Sequence, residues 1–157
     1  MAVSHDKVGN ALAANGATAE ALAGYRQALA IREALSAADP TNGQTLTDRS
    51  SSHEKIGDLL VKVGNPGAAL DEQRRALALR EQVAAADPAN IDARRDVATS
   101  YAKLGEVNAR LAQLREARAW YQKSLEALDD LSRRGAAGAT DARSADEIRR
   151  ELAKLGH

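Results

Sequence analysis

The sequence predicts an all-α fold in which antiparallel helix pairs stack into a solenoid. Three observations lead there. Packing falls to Ala and Leu, because the chain has no Phe, one Trp and three Tyr. Such side chains favour close-packed helices over a sheet, which would want Val, Ile and aromatics. Second, three stretches nearly repeat one another: SHDKVGNAL at 4–12, SHEKIGDLL at 52–60 and SYAKLGEVN at 100–108. Third, apolar residues recur at helical spacing between Gly, Asn and Pro punctuation.

Gly9, Gly57 and Gly105 stand 48 residues apart, and the same offset carries Ser4 to Ser52 and Ser100, and Lys7 to Lys55 and Lys103. It also carries Ala21 to Ala69 and Ala117, Leu29 to Leu77 and Leu125, and Asp39-Pro40 onto Asp87-Pro88. Self-similarity at a fixed offset of this size is the mark of a stacked repeat fold. The units run over about 1–41, 42–89 and 90–134.

Each unit reads as two helices. In the second, Leu46, Ile56, Leu59, Leu60 and Val63 form an apolar stripe, and Gly64 stands where a left-handed C-cap is wanted. Asn65-Pro66 opens the next helix, Asn as N-cap and Pro in the first turn. Ala69, Leu70, Ala76, Leu77, Leu79 and Val83 continue to Asp87-Pro88, where Pro stops the helix and Asn90 caps the following one. Gly57 lies inside a helix, where Gly costs about 1 kcal/mol relative to Ala. The same cost recurs in register at Gly9 and Gly105, which points to close helix crossing, with Ala21, Ala69, Ala76 and Ala117 as small surfaces on the opposing helix.

The ends differ. After Arg133-Arg134 the sequence predicts a loop over 135–143. Ser144 and Glu147 then have the spacing of a capping box for a C-terminal capping helix within 144–157. Ile148, Leu152 and Leu155 give it one narrow apolar stripe, and AKLG at 153–156 echoes AKLG at 102–105, as in a decayed first helix. Residue 1 corresponds to Arg49, already inside a helix. An array that begins mid-helix points to a segment of a longer chain, to an edge covered by another copy, or to a short first helix.

These residues resemble the tetratricopeptide repeat (TPR) family. Its pattern places an apolar residue and Gly in the first helix, then Ala, an aromatic and Ala in the second, then Pro. The matches are Val8-Gly9, Ala21, Tyr25 and Ala28; Ile56-Gly57, Ala69, Ala76 and Pro88, with Gln73 in the aromatic's place; and Leu104-Gly105, Ala117 and Tyr121, with Ser124 replacing the last Ala. His5, His53 and Tyr101 stand at the family's bulky position four before the Gly. The family's usual unit has 34 residues, so this is a long variant with helices about two turns longer. It looks like repeat regions of large bacterial multidomain proteins, some of them Ser/Thr protein kinases. The resemblance implies a right-handed superhelix whose concave face is lined by first-helix residues. Here these are Asp6, Lys7 and Asn10; Glu54, Lys55, Asp58 and Lys62; Lys103, Glu106 and Arg110. Some members clamp a partner's C-terminal carboxylate with Lys, Asn and Arg. Asn10 matches one such position, but Asp6 and Glu54 put acid where Lys is wanted, which speaks against that ligand.

Composition narrows the function classes. Lys plus Arg and Asp plus Glu are 22 each, so no global basic field draws in nucleic acid. The absence of Cys removes disulfides, Cys-ligated zinc and thiol catalysis. No apolar run approaches the roughly 20 residues of a membrane span, and no signal segment opens the sequence, which points to the cytoplasm. His5 and His53 read as packing residues, since a metal site needs further ligands at matching spacing. His157 reads as unstructured. Arg32-Glu33 and Arg80-Glu81 read as exposed charge on long helices. No phosphate loop or nucleophile elbow is present, and no cofactor is implied. The expected function is non-catalytic: a protein-interaction module that binds a partner's peptide or helix on the concave face. The alternative is a scaffold that self-associates through its N-terminal repeat edge.

Overall fold

The computed structural model describes residues 2–37 and 39–156, and side chains from His5 onward. The expectation for His157, and the Ser4 side chain, lie outside the described residues. The described residues form seven helices and no strand: α1 Ala2–Ala14, α2 Thr18–Ser36, α3 Gly43–Lys62, α4 Pro66–Ala86, α5 Ile91–Arg110, α6 Leu114–Arg133 and α7 Ala139–Lys154. They fall into two compact units, Met1–Leu79 and Arg80–His157.

The boundaries follow from local chemistry. Asn42 Oδ1 accepts from the Thr45 N–H at 3.1 Å, Asn65 Oδ1 from Ala68 at 3.2 Å, and Asn90 Oδ1 from Ala93 at 2.9 Å. Each satisfies one of the orphan donors of a helix start. At the other end, Gly16 and Gly64 adopt φ of 78° and 76°. The N–H two residues past the C-cap then donates five residues back: Ala17 to Leu12 at 2.9 Å, Asn65 to Leu60 at 2.8 Å, Gln113 to Asn108 at 2.9 Å. This is the Schellman arrangement, repeated three times. In its third copy the left-handed residue is Ala112, with φ 57°.

In the first unit, Ala21, Tyr25, Ala28, Leu46, Ile56, Leu59, Leu60, Ala69, Leu70, Ala76, Leu77 and Leu79 are buried. Val63 sits at the C-cap and is exposed, unlike the rest of its predicted stripe. Val8 departs too. It is 55% exposed, whereas its register equivalents Ile56 and Leu104 are 1% and 0% exposed. In the second unit, Ala98, Tyr121, Leu128, Leu131, Ala145 and Ile148 form one core cluster, with Leu152 and Leu155 packed against it.

The glycine crossings are real, but the residue that meets each Gly is not the expected Ala. A Cβ on Gly9 would lie 2.7 Å from Tyr25 Cε1, one on Gly57 2.7 Å from Gln73 Nε2, and one on Gly105 2.5 Å from Tyr121 Cδ1. The side chain at the family's aromatic position lies across the glycine in every unit. Ala21, Ala69 and Ala117 are fully buried beside it.

Two readings are corrected. The loop expected at 135–143 is shorter, because α7 starts at Ala139. Asp141, not Glu147, closes the N-terminal turn, accepting from the Gly138 N–H at 2.8 Å. Asp141 also accepts from Arg95 Nε at 2.8 Å, and Arg95 Nη2 reaches the Ala136 carbonyl at 3.2 Å. These bonds order the residues before Ser144. The helix starts Gly43, Ile91 and Ala139 are 48 residues apart, so α7 is a fourth first helix in the common register. The AKLG echo, offset by 51, is out of register.

The second correction concerns Arg32 and Arg80, expected to be exposed. Both are buried. Arg32 Nη1 donates to Ser52 Oγ at 2.8 Å and Arg80 Nη1 to Ser100 Oγ at 2.7 Å. Each ties a second helix to the next first helix. In the following copy the same positions are Leu128 and Ile148, and the tie is apolar.

Candidate functional site

Each unit holds a groove of the same construction. Two first helices form its walls, and the second helix between them forms its floor. In the first unit the walls are α1 and α3 and the floor is α2; in the second they are α5 and α7 over α6. The two sets stand 96 residues apart, as the starts of α2 and α6 and of α3 and α7 show.

The first groove is occupied by its own side chains. Asp6 is buried and ion-paired with Arg32, and Lys55 Nζ lies 3.5 Å from its other oxygen. The same ammonium sits 5.4 Å from the centroid of the Tyr25 ring, in cation–π range. Tyr25 donates its hydroxyl hydrogen to Asn10 Oδ1 at 2.6 Å. Burial, then the Asp6 charge, raises the Tyr25 pKa. One repeat on, buried Gln73 takes the aromatic's place and donates to Asp58 Oδ1 at 3.2 Å. Of the predicted partner-binding residues here, Lys7 and Lys62 are exposed, Glu54, Lys55 and Asp58 half-buried, and Asp6 is committed to structure.

The second groove is open, with a volume of about 730 Å³. That is within the range of ligand-binding clefts. Lys103, Glu106 and Arg110 line it from α5, Tyr121 and Leu128 from α6, and Glu147, Ile148 and Glu151 from α7. Glu106 accepts from Arg110 Nη2 at 3.0 Å on an exposed helix face. Burial, then the charges of Glu151 and Glu106, push the Tyr121 hydroxyl up to about 12. Sequence reasoning found the α5 residues but missed Tyr121 as a groove residue, and it missed α7's contribution. The 96-residue offset from Tyr25, and the register of Asn42 and Asn90 onto Gly138, were the signals available.

His53 is buried, with Nδ1 2.6 Å from Glu72 Oε2. That hydrogen bond holds the Glu72 carboxyl below its ordinary value despite burial. The equivalent pair in the next repeat is aromatic: Tyr101 and Trp120 stack with centroids 5.7 Å apart. No group of His, Asp and Glu suited to holding a metal ion occurs among the described residues. None of their helices is long and apolar enough to cross a membrane.

Residues 4–40 match the family model for the tetratricopeptide repeat. The matched segment spans α1 and α2, the first helix pair of the array. No curated protein matches it. Among solved structures it is similar to the first TPR of Spaghetti bound to an HSP90 peptide, at 20% identity over 97% of this chain and 93% of that one, with a TM-score of 0.48. It is also similar to the Sgt2 TPR domain from Aspergillus fumigatus, at 19% identity over 98% and 80%, with a TM-score of 0.42. A third similarity is to MamA, at 18% identity over 98% and 89%, with a TM-score of 0.33.

Proposed function

We propose that the chain is a non-catalytic interaction module that binds a peptide or helix of a partner protein on the concave face built from first helices. The observation that carries this reading is the open α5–α7 groove, with an apolar floor and charged walls. A concave site with an apolar base and polar groups that can fix a partner's orientation is what a binding cleft requires. Lys103, Glu106 and Arg110 are the residues of the α5 wall. Lys7, Asn10, Glu54, Lys55, Asp58 and Lys62 belong to the corresponding face of the first unit. Asp6 drops out of the binding set, because it is buried against Arg32.

The test is selection of a displayed library of helical peptides on the folded chain, followed by binding of the selected peptides to a Glu106→Arg, Arg110→Glu variant. Loss of binding with unchanged circular dichroism supports the reading. Selected peptides that bind the variant as well as the parent place the site elsewhere.

A second reading, self-association through the first-helix edge, is favoured by Val8, which lies exposed where its equivalents are buried. Light scattering across a concentration range separates the two. A monomer throughout removes self-association, and a dimer abolished by Val8→Asp establishes it.

A further inference from the structure

The two grooves are built alike and charged differently. At the positions of Asp6, Asn10, Ser51 and Lys55 in the first, the second carries Ala102, Glu106, Glu147 and Glu151. The lysine that lies over the tyrosine ring is thus replaced by a carboxylate, and two further carboxylates replace neutral side chains. The tyrosine itself is kept. In the first unit Lys55 fills the space over Tyr25, beside Asp6. In the second, the corresponding space over Tyr121 is open. Tyr25 gives its hydroxyl to Asn10, whereas Tyr121 has no hydrogen-bond partner among the described residues.

We propose that the α5–α7 groove takes a lysine or arginine side chain of a partner segment, its cation seated over the Tyr121 ring between Glu106, Glu147 and Glu151, in the place Lys55 fills over Tyr25.

This rests on the reading of the groove as the binding face, and adds the chemistry of the partner. The first unit supplies the template, an ammonium 5.4 Å from the ring centroid with a carboxylate alongside. Three carboxylates in a half-enclosed groove attract a cation more strongly than they would in open solvent. Glu147 has no partner among the described residues. Glu106 and Glu151 are held only by Arg110 and Lys154, in exposed pairs one helical turn apart. Such pairs are worth little, so a partner's cation displaces them easily. The raised Tyr121 pKa, which Glu151 and Glu106 support after burial, reflects the same negative field.

The test uses the full chain, ¹⁵N-labelled, and three alanine-based helical peptides that carry arginine, glutamine or glutamate at the same positions. The arginine peptide is expected to shift the amides of Tyr121, Glu147, Ile148 and Glu151, and the other two to leave them in place. Glu151→Lys rebuilds the first unit's internal cation and is expected to abolish those shifts in a folded chain. Glu147→Gln is expected to weaken binding about tenfold. If the glutamine or glutamate peptide moves the same amides as strongly, the cation assignment is overturned while the groove stands as the binding face. Arginine-peptide shifts that persist in Glu151→Lys, or no shifts at all with that peptide, also overturn it. If display-selected peptides shift amides only on other faces, the reading of the groove fails as well.

Discussion

Ala112 sits with φ 57° where Gly16 and Gly64 stand in the other two copies. A left-handed conformation costs an L-residue roughly 1–2 kcal/mol. Glycine's extra freedom in the unfolded chain takes back about 0.5–1 kcal/mol of any gain. Ala112→Gly should therefore stabilise the protein by roughly 0.5–1 kcal/mol, read as a higher urea midpoint at unchanged slope. A lower midpoint would mean that this turn is held by something other than its backbone geometry. The glycines inside the first helices pose the opposite problem. At Gly105 a Cβ would meet the ring of Tyr121, a buried member of the core cluster. At Gly57 it would meet the terminal amide of Gln73, a side chain that can bend. Gly105→Ala should cost about 1–3 kcal/mol, and Gly57→Ala less. Chemical denaturation of the two variants checks the order, which fails if the Gly57 variant is the weaker protein.

At the scale of elements, the caps of α3, α4 and α5 were legible because Asn is a strong N-cap and stands beside Gly43, beside Pro66 and two residues after Pro88. The start of α7 was not. Ser144 and Glu147 satisfy the capping-box spacing as well as Gly138 and Asp141 do, and the choice falls to Arg95 on another helix. Arg32 and Arg80 were misread for a similar reason. An Arg-Glu pair on a helix looks the same whether it faces water or reaches Ser52 or Ser100 twenty residues on. Repetition of Arg and Ser in one register was the available clue. Asp141 now gives a test. Burial works against its charge, but the Gly138 N–H and the Arg95 guanidinium hold its carboxyl below the ordinary value. Asp141→Ala removes the turn closure and leaves Arg95 without its buried partner, at about 2–4 kcal/mol. Amide protection in α7 should fall first in hydrogen exchange, and protection lost uniformly along the chain would count against a local role. Because the folded value is the lower one, this stabilisation is present above the ordinary Asp range and is lost as acid takes the pH down through the folded value. The variant should therefore show a flatter acid limb than the parent.

Over the whole molecule, the 48-residue register was legible through the first three copies, since it depends only on counting, but not in α7, where the AKLG echo is offset by 51. The chemistry of the grooves was not, because it depends on which copy of a position carries Lys55 and which Glu151. Only the folded chain shows Tyr25 in a filled site and Tyr121 in an open one. The phenols report on this directly. All three tyrosines have raised pKa values: burial leads in each, followed by Asp6 for Tyr25, Glu81 for Tyr101, and Glu151 and Glu106 for Tyr121, which reaches about 12. A free tyrosine ionises near pH 10. A group whose folded pKa is raised contributes stability that is complete below the unfolded value and is lost as pH rises through the folded one. The native chain should thus show less tyrosinate absorbance at pH 10 than the unfolded chain does, with Tyr121 contributing least. Above that pH, tyrosinate should appear as helical circular dichroism disappears. Any tyrosine that titrates reversibly near pH 10 while the helices stay intact would show that at least one of the three rings is not held as described. Repeating the titration on Glu151→Lys identifies the groove phenol, since its ionisation should shift to lower pH once a cation lies over the Tyr121 ring, while those of Tyr25 and Tyr101 stay where they were.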